Sequence, residues 1–124
     1  MYYKNQTHQR IFEDWITRSP YKCSNKYLAA LYLLTADREL WRTVKWDVQR
    51  KSINFSLICP KRVSINSYTI FVVAKDIYNG ETHITIKDVC DRQLVLDKMF
   101  DLFVTAIHIC RFGYAYIGIE KVFN

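Results

Sequence analysis

Two segments of this chain are too apolar to keep more than a narrow solvent edge, and they dictate what the rest of it must do. Residues 26–36, KYLAALYLLTA, place Tyr27, Leu28, Ala30, Leu31 and Leu34 at helical spacing with almost no polar stripe between them. Residues 92–112, RQLVLDKMFDLFVTAIHICRF, carry two neighbouring apolar stripes. Val95, Met99, Leu102, Ala106 and Ile109 form one, and Leu96, Phe100, Phe103, Ile107 and Cys110 the other. A helix that is apolar over much more than about 100° of its circumference has to be covered by other elements. Both segments are therefore predicted to be central, with the remaining chain packed around them. The expected architecture is mainly α: a compact helical bundle of four to five helices forming a single domain over residues 1–124.

The covering elements are legible to different degrees. Residues 6–18 read as a short amphipathic helix, with Thr7 as its cap and Ile11, Phe12, Trp15 and Ile16 on one face; Ser19 and Pro20 stop it. Ser24 or Asn25 is placed to cap the second helix. At Thr35-Ala36-Asp37 the pattern changes, and Asp37 can accept from the free amides of a new helix start. In that third segment Leu40, Trp41, Val44 and Val48 form the apolar face. In residues 53–58, INFSLI, a short strand and a packed irregular loop compete. Ser64 or Ser67 precedes a segment, 68–78, whose β-branched residues favour strand locally. Its uninterrupted run into Asn79-Gly80, a helix terminator, favours helix, and helix is the reading taken. Residues 81–91 are expected to be extended or singly turned, and Asp91 to cap the final helix, which Gly113 ends. The tail 114–119, YAYIGI, is either a strand, completing a two-stranded element with 53–58, or a packed extension.

Charge divides the chain unevenly. Of the net +6, residues 1–62 supply twelve Lys and Arg against five Asp and Glu, whereas residues 63–124 supply six against seven. An electrostatic partner is thus to be sought in the first half. The four cysteines, 36, 31 and 20 residues apart, show no C-x-x-C spacing and read as reduced small hydrophobes. No apolar run is long enough to cross a bilayer or to form a signal peptide, so the expectation is a cytoplasmic protein without a membrane partner.

No glycine-rich phosphate loop, nucleophile elbow or paired-histidine metal helix is present, and no catalytic residue, metal ligand or cofactor is assigned. The final helix does align Asp97, Asp101, Thr105 and His108. That set reads better as the wet edge of a largely buried helix than as a metal site. His8, His83 and His108 exhaust the side chains that titrate near neutrality. A small enzyme would need a pocket that brings His83 or His108 beside a carboxylate or cysteine.

The basic residues carry the strongest functional signal. Arg38, Arg42 and Lys45 are spaced four and three apart, hence on one helical face, and Arg50, Lys51, Lys61 and Arg62 follow. Trp46 lies off the Leu40-Trp41-Val44 face, either as a stacking or hot-spot residue or packed under the stems of Arg and Lys that merely cover a solvated face. These eight positions are the candidate partner-binding residues, facing either an acidic protein surface or a nucleic-acid backbone. Specific base reading is disfavoured, because Trp41 and Trp46 occupy a segment where a recognition helix offers small polar groups. The nine tyrosines also suit a homodimer surface.

Three phrases taken together, YLAALYLLTADRELW at 27–41, AKDIYNG at 74–80 and ITIKDVCD at 84–91 leading into the final helix, resemble uncharacterised small proteins of phages and mobile elements from low-GC Gram-positive bacteria. The resemblance spans roughly residues 24–112 and rests on core positions, so it transfers no catalytic residue. It implies a compact helical domain in a mobile-element setting. The function it implies is non-enzymatic interaction, with inhibition of a defence effector such as a CRISPR complex as the sharpest version.

Overall fold

The computed structural model describes residues 1–120, and these form one mainly helical domain. Seven helices occur among them: α1 (Gln6–Arg18), α2 (Asn25–Ala36), α3 (Arg38–Val44), α4 (Ile65–Asn79), α5 (Ile86–Val89), α6 (Asp97–Phe112) and α7 (Tyr114–Ile117). Of these, α5 and α7 are single turns, and two short 3-10 turns, Lys45–Asp47 and Phe55–Leu57, interrupt the connection from α3 to α4. The axis of the bundle is α2. Every residue from Tyr27 to Ala36 is buried, because α6 and α4 pack along its length while α1 and α3 close the remaining sides. An all-round apolar helix has that fate in a small domain, since leaving any face wet would forfeit the burial that drives folding.

Side-chain caps set most of the boundaries. Ser24, Asp37 and Ser64 each accept from a backbone amide three residues on, starting α2, α3 and α4. The cap of α1 is Asn5 rather than Thr7: its amide oxygen accepts the His8 N–H at 2.8 Å. Asn5 is the last extended residue, so only its side chain faces the free amides. Segment 68–78 is helical, as part of α4, which ends on Gly80 in the left-handed conformation. Residues 81–91 contain the single turn α5, closed by a reciprocal capping box between Thr85 and Asp88.

Two expectations are corrected, and one open alternative is decided. Asp91 does not cap the last helix. It accepts the Gln93 and, through its carbonyl, the Leu94 and Val95 amides in a separate turn, and α6 begins at Asp97 behind a Leu96 that has no capping side chain. The two-stranded element is not formed: residues 55–57 and 114–117 are helical turns, and the extended pairing present is a lone antiparallel bridge between Val48 and Ile53. The second apolar stripe of the final helix is not covered either. Phe103 is buried, but Leu96, Phe100 and Ile107 are exposed and Cys110 is half-buried. With α2 occupying the centre, the inner face of α6 packs on it, and among the described residues the single turns α5 and α7 reach only part of the outer face. No helix of the described residues is long and apolar enough to cross a membrane.

Candidate functional site

The short α3 and the 3-10 turn after it place the candidate cations. Leu40, Trp41, Val44 and Val48 are buried, which turns Arg38 and Arg42 to solvent and leaves Lys45 half-buried. Burying those four apolar residues turns the 3-10 turn so that Trp46 projects outward, 84% exposed, with the Lys45 ammonium 4.9 Å from its ring centroid. Beyond it the Val48–Ile53 bridge closes a loop carrying Arg50 and Lys51. The Arg50 guanidinium stacks 4.0 Å above Trp15, and Lys51 lies 5.6 Å from the Tyr21 ring. Trp15 in turn meets Trp41 edge-on, and its indole N–H donates to the buried Tyr27 hydroxyl, which donates to the Gln49 carbonyl. Burial pushes the Tyr27 phenol well above its ordinary range, so it stays a neutral hydroxyl in this relay. Arg50 and Lys51 are thereby tied to the α1–α3 side of the molecule.

Lys61 and Arg62 are exposed but stand apart, on the segment entering α4, where Arg62 adopts a left-handed φ of 60°. No bond or ring contact joins them to Trp46 among the described residues. Charge segregation on α3 completes the picture. Asp37 and Glu39 both accept from the Ser67 hydroxyl, at 2.9 and 3.4 Å, so the acids of α3 are turned toward α4. Among the described residues the ion pairs are His83 with Asp76, His83 with Glu81 and Arg92 with Asp97, all in the second half. None of the eight candidate residues takes part in one.

Two cations that sequence spacing did not associate with Arg38 join it in space. Lys4, Arg10 and Arg38 line a cleft of about 480 Å³ with Asn5, Thr7, Ile11, Thr35 and Trp41 among its other walls. A second cleft, of about 550 Å³, mixes Lys4, Arg92 and Lys98 with Asp37, Glu39 and Asp97. A third, of about 460 Å³, is apolar and lies between α4, α5 and α6, where the uncovered stripe of α6 supplies Phe100 and Ile107. The sequence did hold one signal for the first: the opening turn of α1 has no acidic residue, although helix dipoles favour one there.

The polar residues of the last helix do not form one edge. Asp97 and Asp101 are exposed and Asp97 pairs with Arg92, whereas Thr105 is buried on the side of Tyr32 of α2, whose hydroxyl donates to the Tyr2 carbonyl. His108 donates to the Val104 carbonyl and stacks on Tyr116 at 5.2 Å. His83 does meet a carboxylate: its Nδ1 lies 2.7 Å from Asp76 Oδ1. The other Asp76 oxygen accepts the Ile84 N–H, so both oxygens hold the turn that follows α4. Of the cysteines only Cys23 is in the core; Cys59 and Cys90 are exposed, Cys110 is half-buried, and no disulfide joins the four. Among the described residues no three His, Cys, Asp or Glu side chains cluster as metal ligands do. Compared with family models, with curated proteins and with solved structures, the chain matches none.

Proposed function

We propose that this is a non-enzymatic interaction protein that docks on an acidic surface of a larger partner through Arg38, Arg42, Lys45, Trp46, Arg50 and Lys51. The observation that carries the reading is Trp46: an indole 84% exposed on a 3-10 turn, among cations that have no carboxylate partner in the described residues. Trp and Arg dominate the energetics of protein interfaces, because a large flat side chain and a desolvated guanidinium gain most from a packed partner. The Arg50–Trp15 stack fixes a guanidinium before any partner arrives, which lowers the ordering cost of association. A mobile-element setting, cytoplasmic action and inhibition of a defence effector complex are the biological form of this proposal, resting on the sequence resemblance. Lys61 and Arg62 would act as a separate, peripheral contact.

Tagged protein purified from a Gram-positive host at low salt, with and without nuclease, tests it. The expected result is a stoichiometric protein that survives nuclease and roughly 0.3 M salt, and that is lost from Trp46→Ala. Heterogeneous nucleic acid released at that salt, unchanged by Trp46→Ala, would replace this reading with non-specific backbone binding.

A further inference from the structure

We propose that the cleft between the start of α1 and the α2–α3 junction binds the phosphate groups of a free nucleotide. Three cations reach it from three different segments: Lys4 from the chain before α1, Arg10 from α1 and Arg38 from the first turn of α3. No carboxylate lines it, although Asp37 and Glu39 flank Arg38 in the chain, because both are drawn to Ser67 on the α4 side. Lys4 also borders the adjoining cleft that holds Asp37 and Glu39, but within this cleft the three cations face no carboxylate, and an anion seated there is attracted by all of them. Two guanidinium groups supply the fork geometry that matches phosphate oxygens bidentately.

The backbone that carries Lys4 is held by the protein's interior. Its N–H donates to Nδ1 of His8 at 3.1 Å, and the buried His8 ring donates from Nε2 to the Tyr32 carbonyl at 2.8 Å. A cleft of about 480 Å³ is far larger than one phosphate and within the range of small-ligand sites. Its other walls are suited to the rest of a nucleotide, with Ile11 and Trp41 as apolar surface and Asn5 and Thr7 as hydrogen-bonding groups. Arg38 is shared with the docking face, whereas Lys4 and Arg10 have no part in that face, so Arg10→Gln tests the cleft without touching the docking residues.

Calorimetric titration of the full chain with inorganic triphosphate, with ATP and GTP, and with an oligonucleotide bearing or lacking a 5′-phosphate tests the proposal. Saturable binding of triphosphate is expected, tighter for a nucleoside triphosphate. Arg10→Gln and Arg38→Gln should each weaken it about tenfold, as expected for a lost charge-assisted hydrogen bond, while Arg18→Gln, at the far end of α1, leaves it unchanged. All three side chains are exposed, so their melting temperatures should match the parent and keep the comparison readable. Absence of saturable triphosphate binding would overturn the proposal. So would an equal loss in Arg18→Gln, which would mean diffuse charge attraction, or tight binding of the 5′-phosphorylated strand alone.

Discussion

Buried against Tyr32, the His8 imidazole accepts a hydrogen bond at Nδ1 and donates one at Nε2, a pattern that only the neutral ring can satisfy. Burial lowers its pKa to about 4; the Tyr32 carbonyl bond opposes the shift and the Lys4 charge adds to it. The unfolded chain binds this proton near pH 6.5 and the folded chain only near 4, so protons favour the unfolded state throughout that window. Stability from this group is complete above about pH 6.5 and falls with pH to about 4, by roughly 3 kcal/mol at most. Urea denaturation at pH 7.5, 5.5 and 4.5 checks the slope, which His8→Gln should flatten. At Gly113 the constraint is backbone. Its φ of 64° with ψ of −139° is closed to ordinary side chains, and an added Cβ would meet the Asn25 side chain at the start of α2. Gly113→Ala should cost at least about 2 kcal/mol in the same assay.

Helix starts show how local chemistry and packing divide the work. Asn5, Ser24, Asp37 and Ser64 hold their helices by side-chain caps, but Leu96 occupies the same extended geometry before α6 with nothing to donate to or accept from the first turn. The start of α6 is set instead by Val95 and Met99, which are buried on either side of it. Leu96→Ser would add the missing acceptor at a half-exposed position and is expected to stabilise the domain by about 0.5–1 kcal/mol, read as a raised urea midpoint. Conversely, Thr85→Ala removes one half of the α5 capping box. Its effect, about 1 kcal/mol, should appear as faster amide exchange in residues 86–90, since this turn lies at the edge of the domain.

Across the whole molecule the positive charge is a surface property held apart from the core. The cations of the first half are exposed or half-buried and unpaired among the described residues, whereas the ion pairs join residues of the second half. Reversing Arg38, Arg42 and Lys45 to Glu together should therefore move the melting temperature by no more than surface substitutions usually do, while abolishing partner capture. A drop of more than about 10 °C in differential scanning calorimetry would place these side chains in structural pairs instead. Hydrophobic pattern and capping chemistry were enough to give the mainly helical class, the centrality of KYLAALYLLTA and the α2–α3 break at Asp37, because all of these follow from spacing along one chain. Tertiary structure decided what spacing does not encode. It left the second stripe of α6 open, since only one helix can occupy the axis of so small a bundle. It turned Thr105 inward to Tyr32 and made helical turns of residues 55–57 and 114–117 where a strand pair had been an option. It also gathered Lys4, Arg10 and Arg38 from three segments into one cleft, an apposition set by how α1 packs on the α2–α3 junction and by no periodicity in the sequence.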